Sequence, residues 1–120
     1  MTGNQYTDKT GETLTVLRDP EQEAFMVRTQ GDEVAGRAFF RTRGQDRIFY
    51  HTEVDEEFGG RGIGTLLVRG AVEATRAEGV QIVAVCPLVK GFLEKSGEEF
   101  AGGWRLPTPD DLSWLQKDVD

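Results

Sequence analysis

Residues 59–86 read GGRGIGTLLVRGAVEATRAEGVQIVAVC, and the fold class turns on them. After Arg61, the residues Ile63, Leu66, Leu67, Gly70, Ala71 and Ala74 recur at helical spacing, and Gly79 is a natural C-terminal stop. Val80 to Cys86 is then almost wholly apolar, the pattern of a strand covered on both faces. A strand leading in, a helix and a buried strand make a right-handed parallel crossover. Pro87 ends that strand, and Leu88, Val89, Phe92 and Leu93 place one apolar face on a second helix.

Upstream, Glu23 to Thr29 reads as a strand and Gly31-Asp32 as a turn. Glu33 to Arg43 alternates, with Val34, Ala38 and Phe40 facing one way and Arg37, Phe39, Arg41 and Arg43 the other. Gly44-Gln45-Asp46 turns the chain into a third strand, Arg47 to Val54. Strict alternation puts Ile48, Tyr50, Thr52 and Val54 on one face of it, and Phe49, His51 and Glu53 on the other. Short turns between such strands imply antiparallel hairpins. The expected class is α/β mixed (α+β): antiparallel N-terminal strands, one parallel β-α-β crossover and a following helix.

The chain's 120 residues amount to one domain, and 38% hydrophobic content supports a modest core. One Cys and one His exclude a disulfide framework and a Cys/His zinc cluster, so no metal is expected. No apolar run approaches a membrane span, and MTGNQYTDKTGE lacks a signal-peptide apolar region, so the reading is a soluble cytoplasmic domain. The net charge of −7 argues against nucleic acid and anionic membranes and suits a cationic substrate. Of that charge, −4 lies in residues 98–120. Residues 1–13 read as a flexible N-terminal arm, 14–100 as the domain proper, and 101–120 as an acidic C-terminal extension. In the extension, Thr108-Pro109-Asp110-Asp111 supplies an N-cap, a Pro at N1 and first-turn acids for a short helix carrying Leu112 and Leu115.

The sharpest local feature is Phe58-Gly59-Gly60-Arg61-Gly62-Ile63-Gly64-Thr65, joining strand to helix. Backbone amides free of Cβ obstruction at a helix N-terminus suit a phosphate. Thr65 stands where a P-loop needs Lys, which disfavours nucleoside triphosphate hydrolysis. Leu67 occupies the third-glycine place of a dinucleotide fingerprint. The remaining readings are a phosphate loop of the G-x-G type and a plain tight turn.

Three blocks occur together: His51-Thr52-Glu53-Val54; Gly60-x-Gly62-Ile63-Gly64-x-x-Leu67-Val68; and Val85-Cys86-Pro87-x-Val89. Jointly they resemble the GCN5-related N-acetyltransferase superfamily, in particular its small single-domain members of the YjdJ type, over roughly residues 16–100. The resemblance implies a small fold of that type binding acetyl-CoA as acetyl donor. It implies that Gly60, Arg61, Gly62, Ile63, Gly64 and Thr65 hold the pyrophosphate, with the pantetheine arm along the strand ending at Val54, where that strand splays from Val80–Cys86. The chain departs from the superfamily's habit at Gly59 (often Arg or Gln), at Phe92 (often Tyr) and at Ser96-Gly97-Glu98-Glu99-Phe100 (a His-Pro-Glu-aromatic run in the small members).

The implied activity is transfer of an acetyl group to an amine, either a small amine or a lysine side chain; a non-catalytic acyl-CoA-binding module is the alternative. An amine acceptor arrives as ammonium and must lose a proton, work suited to His51 or Glu53; the plainer reading is a solvated strand face. Asp55, Glu56 and Glu57 extend that acidity into the loop, where they either attract a cation or are merely solvated. Cys86, just before a helix start, is either a buried small hydrophobe or a group that carries acetyl or protonates the departing thiol. Arg37, Arg41, Arg43 and Arg47 read as a sheet face paired to acids, or as contacts for a phosphate.

Overall fold

The computed structural model describes residues 3–119. Among them, seven strands form one sheet in sequence order: β1 (Asn4–Thr7), β2 (Thr13–Arg18), β3 (Ala24–Arg28), β4 (Val34–Arg43), β5 (Asp46–Val54), β6 (Gln81–Ala84) and β7 (Trp104–Arg105). Neighbours from β1 to β5 are antiparallel, whereas β5–β6 and β6–β7 are parallel. The switch falls where α1 (Ile63–Ala77) links β5 to β6, as the change of hydrophobic period predicts. α2 (Pro87–Lys95) and α3 (Pro109–Val119) follow. The expected mixed α+β class is the observed one.

α1 lies on one face of the sheet. Ile63, Leu67, Val68 and Val72 are buried there with Phe25, Phe40 and Phe49, whose ring centroids lie 5.6–6.2 Å apart. Each such side chain contributes about 1.5–3 kcal/mol on leaving water. Gly70 sets how closely the helix approaches: a Cβ there would lie 2.6 Å from that of Val16 on β2. Arg47, 6% exposed, ties the start of β5 to the end of α1 through Thr75 (3.0 Å) and Glu78 (2.9 Å).

β5 does not alternate as its sequence suggests. Phe39 pairs with His51 but Phe40 pairs with Phe49, so a bulge at Tyr50 shifts the phase. Phe49 therefore enters the α1-side core with Phe40, on the same face as Thr52. His51 and Glu53 keep company with each other but not with Phe49.

The stretch read as a loose arm supplies β1, and Thr13–Arg18 adds β2 beside it. Tyr6 holds that edge: it packs against the core and its hydroxyl donates to Glu73 on α1. β7, too short to leave a periodic signal, pairs Trp104 with Ile82 and Arg105 with Val83.

α3 begins where its capping signals predict. Asp111 N–H donates to Thr108 Oγ1 (3.1 Å), and Thr108 N–H donates back to an Asp111 carboxylate oxygen (2.7 Å). The helix covers the other face of the sheet. There Leu115 packs with Ile48 and Val83, flanked by Tyr50, Val85 and Trp114, while Leu112 stays exposed. β6 is thus covered on both faces. The Arg105 guanidinium, 2.6 Å from Asp111 Oδ2, holds that buried carboxyl well below the usual carboxylate range.

A group depressed in the folded state stabilises fully above its unfolded pKa, and that support is lost as pH falls through and below about 4. Melting temperature is expected to drop between pH 5 and 3 more steeply in the wild type than in Asp111→Asn, which has already lost the pair. Equal slopes would show that this carboxylate does not anchor α3.

Candidate functional site

Beyond Phe49 the sheet opens. β6 stays in register with β5 from Asp46↔Gln81 to Phe49↔Ala84. The Phe49 carbonyl then accepts the N–H groups of both Val85 (3.0 Å) and Cys86 (2.9 Å), after which Pro87 turns the chain into α2. Tyr50 to Val54 is left without a partner strand on that side. Asp55 N–H donates to Ala35 O on the β4 side (2.8 Å), so alternation turns the N–H groups of Thr52 and Val54 into the gap.

Cys86 sits at the vertex of this V as the N-cap of α2, 4% exposed, with Sγ 3.3 Å from Thr52 Oγ1. His51 and Glu53 lie on the opposite face of the same segment. There His51 Nε2 is 3.0 Å from Glu53 Oε2, and the imidazole stacks on Phe39 at 6.0 Å. Both are exposed. The fold thus brings together Cys86 with Thr52 and His51 with Glu53, as two pairs on two faces rather than one cluster. Thr52, given no chemical role by the sequence, becomes the partner of Cys86 because the bulge restores it to the core-side face.

The glycine loop rises from the end of β5 through a single 3-10 turn, Glu56–Phe58. Gly62, the N-cap of α1, has φ 77°, in the left-handed region that glycine enters without steric strain. Leu66 N–H is the first to bond back into the helix, to Gly62 O. Among the described residues, the N–H groups of residues 60–65 find no protein acceptor. They form a row of unpaired donors at the positive end of a 15-residue helix. From Thr65 an open cavity of about 450 Å³ continues between α1 and α2, walled by Arg69, Pro87, Leu88, Gly91 and Phe92.

The side chain of Arg61 turns away from this row. Its Nε donates to Asp8 Oδ2 (2.8 Å), one terminal nitrogen also meets Glu12, and the guanidinium lies 5.5 Å from the Phe58 ring centroid. Hydrogen bonds from Thr10 and Arg61 hold Asp8 well below the carboxylate range. Arg61 therefore faces the loop with its amide alone. The other arginines are engaged too: Arg37 with Asp19, Arg41 with Glu23 and Asp118, Arg43 with Asp110 and Asp111, Arg47 with Glu78. The loop acids Asp55, Glu56 and Glu57 are exposed.

The profile of GCN5-related N-acetyltransferases matches residues 24–101, which contain the open strand, the glycine loop and α2. The chain belongs to this family. As a GCN5-related N-acetyltransferase it shares its fold with a GCN5-like protein from Staphylococcus aureus whose structure was determined in solution by NMR. That likeness has a TM-score of 0.57 and 22% identity, and covers 78% of this chain and 90% of the other. No curated protein matches the chain. Family membership makes the protein an acetyltransferase. Among the described residues, no helix of this acetyltransferase is long and apolar enough to cross a membrane. Phe92, in its second helix, is half-buried against Phe100 (5.7 Å) and has no acidic proton to give.

Proposed function

We propose that the protein transfers the acetyl group of acetyl-CoA to a cationic amine, a small amine or a lysine side chain. The observation that carries this reading is the row of unpartnered amides at residues 60–65, one 3-10 turn beyond the unpaired edge of β5. Such donors suit a pyrophosphate, and an open strand edge suits the amide groups of a pantetheine arm. The coenzyme supplies an activated thioester, whose carbonyl carbon is open to attack once its oxygen is polarised.

The protein's own groups take the remaining roles. Amides at Gly60, Arg61, Gly62, Ile63, Gly64 and Thr65 hold the pyrophosphate. Val54 N–H, directed into the gap, donates to the thioester carbonyl and to the negative charge that grows there; one such donor is worth about 3–4 kcal/mol in the transition state. With Nε2–H donated to Glu53, His51 keeps Nδ1 as an acceptor and takes the proton of the incoming ammonium. Cys86 Sγ, paired with Thr52 Oγ1, stands on the opposite face and gives the departing thiolate its proton. The acetyl group passes between the faces through the gap. Asp55, Glu56 and Glu57 bias the approach toward cations.

The test is release of free CoA from acetyl-CoA in the presence of a panel of amines and lysine peptides, with mass analysis of the protein before any acceptor is added. Turnover with at least one amine, and an unmodified protein mass beforehand, is the expected outcome. A stable acetyl adduct on Cys86 would replace direct transfer with a covalent route. Binding of acetyl-CoA with no turnover on any acceptor would make the chain a coenzyme-binding module. No rise in melting temperature with CoA would overturn the reading altogether.

A further inference from the structure

We infer that Lys9, on the turn between β1 and β2, is a phosphate-binding residue of the coenzyme site. The inference rests on the coenzyme reading above and adds to it a side chain from outside the glycine motif. Lys9 N–H donates to Arg61 O (3.2 Å), which fastens the turn to the loop. Its aliphatic stem then crosses Gly62. The position that a Cβ would occupy on Gly62 is 3.7, 3.8 and 3.4 Å from Lys9 Cγ, Cδ and Cε in turn. The stem is thus laid beside the N-cap of α1, and Nζ lies one bond beyond Cε, the stem atom nearest that position.

Charge around the loop explains why a lysine is needed there. The Arg61 guanidinium is committed to two carboxylates, Asp8 and Glu12, so that cluster alone is net negative. The exposed acids Glu56 and Glu57 precede Arg61 in the same connection. A doubly charged pyrophosphate seated on the amides would face this excess without a compensating cation. Among the described residues Lys9 is exposed and pairs with no carboxylate, and Asp8 beside it is already bonded by Thr10, Glu12 N–H and Arg61. Its ammonium is left to the ligand, and an ammonium–phosphate contact is among the stronger hydrogen bonds available.

Calorimetric titration of CoA and of dephospho-CoA, which keeps the pyrophosphate but lacks the 3′-phosphate, tests this on the wild type, Lys9→Met and Lys9→Arg. Lys9→Met, which keeps the stem, is expected to weaken both ligands about tenfold. Its affinity should also fall less steeply with added salt than that of the wild type. Lys9→Arg is expected to restore most of the loss. The ligand-free melting temperature of Lys9→Met should match the wild type, since the side chain is exposed and forms no ion pair there. In steady-state assays its KM for acetyl-CoA should rise about tenfold with kcat unchanged. Wild-type affinity in Lys9→Met would overturn the inference while leaving the coenzyme site intact. A loss confined to CoA and absent with dephospho-CoA would overturn the assignment to the pyrophosphate. Failure of the wild type itself to bind CoA would remove the coenzyme reading, and this inference with it.

Discussion

Replacing Phe49 with alanine is expected to destabilise the protein by about 3–5 kcal/mol and to lower its melting temperature by about 10–20 °C. The ring is 1% exposed and stands between Phe25 (6.2 Å) and Phe40 (5.7 Å), beneath α1. Its removal leaves a cavity that the paired backbone of β4 and β5 cannot collapse to fill. The carbonyl of the same residue receives both Val85 and Cys86 N–H, so a shifted backbone here would also move the vertex of the V. Phe39 is the control. It is half-exposed on the far side, beside Tyr50 and His51, and Phe39→Ala is expected to cost under about 1.5 kcal/mol. Similar losses for the two substitutions, measured by urea unfolding, would show that the bulge does not set the phase of β5.

Gly62→Val is expected to cut kcat/KM for acetyl-CoA about 100-fold while leaving the protein folded. At φ 77° a β-branched residue is strained by roughly 1–3 kcal/mol. Its Cβ would touch Lys9 Cε at 3.4 Å, and its methyl groups would reach further into that stem. The loop relieves both by rotating its peptide planes, which turns the amides of Gly62 and Ile63 off their common line. Binding should suffer more than stability, because Gly62 itself contributes no side chain to the core. Gly31→Ala, in the β3–β4 turn and with only Thr29 Oγ1 near (3.8 Å), should leave kcat/KM unchanged. Wild-type kcat/KM in Gly62→Val would show that the amide row does not bind the coenzyme.

Much of this site was legible in the chain. The glycine loop, the strand before it and the helix after it each depend on local spacing, and residues 60–65 lie where the spacing puts them. Cys86 at a strand end before a Pro-initiated helix is likewise a local pattern. The pairing of that thiol with Thr52 was not legible, since 34 residues separate them and one extra residue at Tyr50 decides which side chains of β5 face inward. Nor was the posture of Arg61. A guanidinium in a glycine loop reads as a phosphate contact until carboxylates 53 and 49 residues upstream are folded against it.

The acidic C-terminal segment shows the same division. Its charge, its cap and its helix follow from Thr108 to Asp111 alone, because a capping box closes within three residues. What the charge is for follows only from the folded chain. Asp110 and Asp111 meet Arg43, Asp111 also meets Arg105, and Asp118 meets Arg41, so these acids tie α3 to the sheet, with Asp111 alone of the three buried. By itself the sequence determined the hairpins, the parallel crossover, the amide-bearing loop and the family, since each is written in short-range periodicity and turn chemistry. The tertiary structure alone decided the inward face of β5, the partners of Arg61 and Cys86, and the docking of β7 and α3. Those outcomes depend on contacts between residues distant in the chain, and on a bulge whose position no hydrophobic period records.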